Sequence, residues 1–161
     1  MAERSVEVVN SDLLDREIVL TRTYDAPREL VFDAWLDRER ISEWFGPDGF
    51  RTTILEMDPR PGGTWRFILH GPDGVDYPNR IDYLEIRRPE RLVYAHRSDF
   101  EPPEIEFETT VNFVQRGGQT EVSLRMLFKT AAQHDLAVEK YGAIEGAHQH
   151  LQRLADYLAR S

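Results

Sequence analysis

The chain has no cysteine, and this absence restricts both its covalent and its metal chemistry. It forms no disulfide and offers no thiolate to a metal ion. Proteins without disulfides are typical of reducing compartments, and the polar amino-terminal stretch lacks the apolar segment of a secretory signal. No run approaches the roughly 20 apolar residues of a membrane-spanning helix. We therefore expect a cytoplasmic protein with no membrane partner.

Basic residues are in deficit, with 20 lysines and arginines against 29 aspartates and glutamates and a net charge of -9 at pH 7. The phosphate backbone repels an acidic chain, so no nucleic-acid partner is expected. The 161 residues, 40% of them hydrophobic, suit one domain with a core. We expect a polar amino-terminal arm at residues 1–15 and a single domain over residues 16–161.

The amino-terminal part of the domain predicts one strand followed by two short helices. Residues 16–24 are rich in β-branched side chains, which favour a strand. Asp25 and Pro27 then mark the start of a helix, because aspartate can cap free N–H groups and proline suits the first turn. A second short helix ends at Gly46.

The middle of the chain predicts an antiparallel meander, because glycine and proline turns separate segments of hairpin length. The last hairpin centres on Gly117–Gly118 and places Phe107 opposite Phe128 and Val111 opposite Leu124. One face of this hairpin is then apolar and the other polar. A shift of one residue would invert that pattern, so the register is well determined.

A helical pattern from about residue 131 to residue 159 ends the chain. At about 1.5 Å per residue it reaches roughly 40 Å if unbroken, enough to cross a small domain. Gly142 and Gly146 weaken it locally. The stripe that we expect against the apolar face of the sheet comprises Ala137, Tyr141, Ile144, His148, Leu151, Ala155 and Leu158.

Five segments between about residue 17 and residue 129 carry a family resemblance: YDAPRELVFDAWLD, EWFGPDGF, DPRPGGTWRFILHGPDGVDYPN, EIRRPERLVYAH and TTVNFVQRGGQTEVSLR. Together they resemble the START-like superfamily (SRPBCC, helix-grip fold), and within it the homologues of the activator of heat-shock protein 90 ATPase. The resemblance implies an α+β fold in which a curved six- to seven-stranded antiparallel sheet surrounds a long C-terminal helix, with two short helices after the first strand. It also implies a cavity between sheet and helix.

The chain departs from this family at one position in the last helix. Homologues often have a Gly-Trp pair there, whereas this chain has Gly146 and Ala147. Loss of the bulky ring would enlarge the cavity.

Aromatic and apolar side chains are the candidates for the wall of such a cavity, although the same residues would also suit an ordinary core. His96 shares a strand face with Leu92 and Tyr94, so it would bring a polar group inside that needs a partner, either a neighbouring side chain or a ligand. The candidate ligand-binding residues are Trp35, Trp44, Phe45, Trp65, Phe67, Tyr83, Tyr94, His96, Phe107, Thr109, Val111, Met126, Phe128, Tyr141 and Ile144.

The remaining histidines do not form a metal site in this interpretation. His148 and His150 are two residues apart on a helix and project to nearly opposite sides. His70 ends a strand beside a Gly-Pro-Asp-Gly turn, and the turn chemistry explains that segment. No nucleophile elbow or phosphate loop is present, and we expect neither a metal nor a cofactor.

The sequence is compatible with three functions. The leading hypothesis is a non-catalytic domain that binds a small hydrophobic or aromatic molecule in the cavity. The second, from the family name alone, is a partner of a chaperone or a stress-response module. The third is a cyclase- or hydrolase-type enzyme with His96, Tyr83 or Tyr94 as acid or base. A homodimer is the default expectation for the oligomeric state.

Overall fold

The computed structural model describes residues 15–97 and 105–160, so most of the expected amino-terminal arm lies outside the described residues. The described part contains seven strands and four helices. In chain order they are β1 (Glu17–Tyr24), α1 (Arg28–Leu36), α2 (Arg38–Trp44), β2 (Arg51–Met57), β3 (Thr64–His70), β4 (Asp76–Arg87), β5 (Arg91–Arg97), β6 (Phe107–Arg116), β7 (Gln119–Phe128), α3 (Ala131–Tyr141) and α4 (Ala143–Arg160).

The strands form a single antiparallel sheet in the order β1-β7-β6-β5-β4-β3-β2. The first strand pairs with the last, with Glu17 opposite Leu127 and Tyr24 opposite Thr120. Helices α1 and α2 lead from β1 at one edge to β2 at the other. This curved sheet with a C-terminal helix confirms the predicted α+β fold.

The register of the last hairpin is as predicted. Phe107 lies opposite Phe128, and Val111 opposite Leu124. Burial alternates along β6, with every second residue from Thr109 to Phe113 buried. The alternation arises because successive side chains of a strand point to opposite faces of the sheet.

Helix α1 begins differently from the prediction. Its N-cap is Pro27, and no side chain caps the helix from its own segment, so the predicted capping role of Asp25 is wrong. The amide of Arg28 instead donates a hydrogen bond, at 2.9 Å, to the side-chain oxygen of Gln115 on β6. A long-range contact therefore satisfies one of the free N–H groups at the start of the helix.

The C-terminal helix is broken at Gly142, which has a positive φ of 62° and ends α3. A left-handed residue at this position is a common way to end a helix and usually requires glycine. The predicted inward stripe is wrong at Ile144 and His148, which are exposed, and at Tyr141, which is half exposed. Leu151 is buried as predicted, and Ala147, which lies outside the predicted stripe, is buried too.

The main core lies beneath α1, α2 and α4 and contains stacked and edge-to-face aromatic rings. Trp35 meets Trp44 edge to face with ring centroids 4.9 Å apart, and Trp65 stacks on Phe67 at 4.2 Å. A second, smaller cluster forms around Phe128 under α3. No helix in the described part of the chain is long and apolar enough to cross a membrane.

Candidate ligand-binding cavity

A cavity of about 220 Å³ lies between the inner face of the sheet and the joint of α3 and α4. Its wall draws on the sheet, on the loop after α2 and on both helices. The residues that line it are Phe45, Gly46, Pro47, Leu69, Tyr94, His96, Phe107, Thr109, Leu124, Met126, Tyr141, Gly142, Ala143, Gly146, Ala147 and His150.

Seven of the fifteen candidate residues from the sequence lie on this wall, namely Phe45, Tyr94, His96, Phe107, Thr109, Met126 and Tyr141. Tyr141 is half exposed and stands at the rim, where the ammonium of Lys140 lies 5.2 Å from its ring centroid.

The other eight candidates lie elsewhere. Ile144 is exposed on α4, and Phe128 belongs to the smaller cluster. Those in the main core are Trp35, Trp44, Trp65, Phe67, Tyr83 and Val111. Trp44 shows how such a core ring packs behind the wall, since its centroid lies 4.9 Å from the imidazole of His150.

His150 is the polar wall residue that the sequence analysis missed. It lies among aromatic rings, with the centroid of Phe45 4.5 Å away. The backbone N–H of Gly46 donates to its Nδ1 at 3.2 Å. Nδ1 therefore has no hydrogen, and the neutral imidazole has its hydrogen on Nε2. Burial lowers the pKa of His150 to about 3, helped by repulsion from His96 and Arg153.

A signal for His150 is present in the sequence once Gly142 is used as the start of a new helix. From Ala147, the residues at helical spacing are His150, Leu151 and Leu154, and the last two are fully buried. The helical period restarts after a left-handed glycine, so a stripe counted through Gly142 places Ile144 and His148 inside, where the structure has Ala147 and His150.

His96 faces inward, and its immediate neighbour is an aromatic ring. Its imidazole stacks on Phe107 with centroids 4.1 Å apart and an interplanar angle of 16°. Burial lowers the pKa of His96 to about 3, so this ring is also neutral at physiological pH. The cavity therefore contains two uncharged imidazoles.

Two hydroxyl groups complete the polar part of the wall. The phenol oxygen of Tyr94 accepts a hydrogen bond from Nε1 of Trp35 at 3.2 Å, and burial raises the pKa of Tyr94 well above its usual range. Thr109 is 2% exposed and lies beside it on β6. Among the described lining residues none carries a formal charge at neutral pH. An apolar wall with a few convergent polar groups is typical of a small-molecule site.

Helix α4 also fixes the loop that forms one side of the cavity. Nη1 of Arg153 contacts the carbonyl oxygens of Phe45, Gly46 and Pro47 at 3.3, 3.0 and 2.9 Å. The amide of Asp48 donates to the side chain of Gln149 at 3.1 Å. These contacts hold the loop against the helix and keep the wall in place.

His70 lies outside the cavity, as part of the strand surface. Its Nε2 is 2.7 Å from the hydroxyl of Thr53, and its Nδ1 is 2.8 Å from a carboxylate oxygen of Asp76. These partners lie on the neighbouring strands β2 and β4, so His70 bridges three strands. The described residues contain no group of three histidine, aspartate or glutamate side chains that could hold a metal ion.

Comparison with known proteins gives a match to one family over most of the chain. The model of the family described as Activator of Hsp90 ATPase homolog 1-like protein matches residues 25–159. A crystal structure of a protein from Chromobacterium violaceum is 27% identical with a TM-score of 0.77, covering 88% of this chain and 95% of that chain. A solution structure of a protein from Arthrobacter aurescens is 20% identical with a TM-score of 0.85, covering 98% and 94%. No curated protein matches significantly.

Proposed function

The chain belongs to the Activator of Hsp90 ATPase homolog 1-like family, and from this premise we propose that it binds a small hydrophobic molecule between its sheet and α4. The observation that supports this function is the cavity of about 220 Å³ with a largely apolar wall. Protein interiors normally close such space with their own side chains. Membership of the family accounts for the fold, while the cavity itself supports the function.

The size of the cavity limits the ligand. An apolar cavity of about 150 Å³ holds benzene. The larger space here, about 220 Å³, suits a substituted single ring or two fused rings. Ala147 lies on the wall and is 8% exposed, so its small side chain leaves room that a tryptophan would fill.

The protonation of the histidines supports binding rather than acid–base catalysis. A general base works best when its pKa lies near the operating pH. The pKa values of His96 and His150 are both lowered to about 3, which makes them weak proton acceptors at neutral pH. Both groups suit a hydrogen bond to a ligand better than a proton transfer.

The test uses 6-propionyl-2-(dimethylamino)naphthalene, an uncharged probe whose emission shifts to the blue in an apolar site. We expect saturable 1:1 binding by the wild-type protein. Ala147→Trp fills the cavity and should reduce affinity at least tenfold, while Ala159→Trp, the same change at an exposed position of the same helix, should not.

A second filling variant covers the case in which Ala147→Trp does not fold. A Cβ at Gly146 would lie 3.7 Å from Cγ of Pro47, so Gly146→Leu can be built without a backbone clash. Circular dichroism and melting temperature establish that each variant is folded. If wild type does not bind the probe, or folded filling variants bind it as well as wild type, the proposal is wrong. The role in protein binding that the family description suggests would then take its place.

A further inference from the structure

The polar groups of the cavity also indicate the chemical class of its ligand. We propose that the cavity selects an uncharged, ring-containing molecule whose carbonyl-type oxygen accepts a hydrogen bond from Nε2–H of His150. This inference rests on the proposed function, because it describes what the same cavity binds.

The tautomer of His150 is fixed by its hydrogen bond with Gly46. The backbone N–H of Gly46 donates to Nδ1, which therefore acts as the acceptor. The single hydrogen of the neutral ring is then on Nε2. Gly46 in turn is held by Arg153, whose Nη1 contacts the Gly46 carbonyl oxygen at 3.0 Å. The ring is further wedged between Trp44 and Phe45, so its orientation is fixed from several sides.

The Nε2–H donor of His150 has no acceptor among the residues that the structure describes. Within residues 15–97 and 105–160, the His150 ring makes one hydrogen bond, with the N–H of Gly46. No described side chain or carbonyl accepts from Nε2. Nε2 is not among the described buried polar atoms that lack a partner, so this donor is open to the cavity. A ligand that covers it must bring an acceptor, because a buried donor without a hydrogen bond has a free-energy cost.

The uncharged wall of the cavity does not suit an anionic ligand. A carboxylate would lose its hydration inside the cavity and would need a cation in return. Nη1 of Arg153 is directed to three backbone carbonyls rather than to the cavity. Lys140, whose ammonium lies at the rim beside Tyr141, is not among the residues that line the cavity. Both imidazoles are neutral at physiological pH, because burial lowers their pKa values to about 3.

The aromatic rings of the wall indicate what the rest of the ligand is. Aromatic rings of Phe45, Tyr94, His96 and Phe107 lie on the wall. His96 and Phe107 are nearly parallel to each other, with an angle of 16°. Flat walls of this kind pack well against a flat ring, in offset or edge-to-face contact. The complete class is therefore a neutral cyclic ketone, aldehyde, amide or ester.

The experiment compares three molecules with one skeleton by isothermal titration at pH 7. They are 2-acetylnaphthalene, 2-isopropenylnaphthalene, in which CH₂ replaces the carbonyl oxygen, and 2-naphthoate, which is anionic. We expect the ketone to bind about tenfold more tightly than the alkene, as one added hydrogen bond allows. We expect the carboxylate to bind at least about 100-fold more weakly than the ketone.

Two substitutions locate the effect at Nε2. His150→Asn keeps an acceptor near Nδ1 for Gly46 and deletes the Nε2 donor, so the preference for ketone over alkene should vanish. His150→Gln places an amide donor near Nε2 and should retain part of that preference. His148→Asn changes an exposed histidine of the same helix and should leave all three affinities unchanged.

The outcomes separate the two proposals. If none of the three molecules binds, the proposed function fails for ligands of this size. If they bind but the carboxylate equals the ketone, or the alkene equals the ketone, the cavity is a binding site and the inferred ligand class is wrong. A ketone preference that survives in folded His150→Asn would also overturn the role of Nε2.

Discussion

The indole nitrogen of Trp35 on α1 donates a hydrogen bond to the phenol oxygen of Tyr94 on β5, across 3.2 Å. Both residues are almost fully buried, at 2% and 3% exposure. The bond orients the phenol, which lines the cavity, and gives the indole N–H a partner inside the core. One contact thus serves both the packing of α1 and the shape of the site.

Tyr94→Phe should destabilise the protein by about 2 kcal/mol, because it leaves the buried N–H of Trp35 without an acceptor. Chemical denaturation measures the free energy of unfolding. Tyr77→Phe removes the hydroxyl of a residue that is 38% exposed and donates a hydrogen bond to Asp73 at 3.2 Å, so its effect should stay below about 1 kcal/mol. Equal losses in the two variants would contradict the role given to the Trp35 contact.

The two histidines of the cavity wall should make the stability depend on pH above the range in which carboxylates titrate. An ordinary histidine has a pKa of 6.5, whereas that of folded His150 is about 3. Between these values the unfolded chain binds the proton and the folded chain does not, so stability falls as the pH falls. From pH 7 to pH 5 we expect His150 alone to contribute a loss of about 2 kcal/mol.

The measurement for this prediction is the difference in unfolding free energy between pH 7 and pH 5. In His150→Asn the difference should shrink by about 2 kcal/mol, since asparagine does not titrate. In His148→Asn, where the histidine is exposed, it should match wild type. An unchanged difference in His150→Asn would show that this histidine does not have the lowered pKa.

Arg153→Met should weaken the joint between α4 and the loop after α2. Three carbonyl oxygens lose a charged donor at 2.9 to 3.3 Å, and we expect a loss of about 2 kcal/mol in unfolding free energy. Arg160→Met removes an exposed side chain that pairs with Glu43 at 4.0 Å and should cost less than about 1 kcal/mol. A smaller loss for Arg153 than for Arg160 would count against the importance of the loop contacts.

The two glycines of the C-terminal helices should respond to alanine in opposite directions. Gly142→Ala places a Cβ on a residue with a φ of 62° and should cost about 1 to 2 kcal/mol. Gly146→Ala adds a Cβ inside α4 whose nearest neighbour is 3.7 Å away, and should gain about 0.5 to 1 kcal/mol. Thermal melts of the two variants provide the check, and a stabilised Gly142→Ala would contradict the left-handed break.

The antiparallel meander and the register of the last hairpin could be predicted because they rest on local patterns, whereas the pairing of β1 with β7 joins distant segments. The alternation in residues 107–128 admits one register, and the structure has it. The N-cap contact of α1 could not be predicted, since Gln115 lies 87 residues from Arg28. Likewise, no local signal separates Trp65, which packs in the core, from Phe107, which lines the cavity. Both are aromatic residues on inner strand faces, and only the position of α4 decides which of them meets empty space.

The pairing of β1 with β7 has a consequence for synthesis on the ribosome. The first strand of the sheet emerges early but must wait for the 94 residues numbered 25–118 before its neighbour begins. Helix α4, which covers the apolar inner face, emerges last of all the described elements. A nascent chain therefore exposes that face until α4 leaves the exit tunnel, and a chain stopped before Ala143 is left with a surface prone to aggregation.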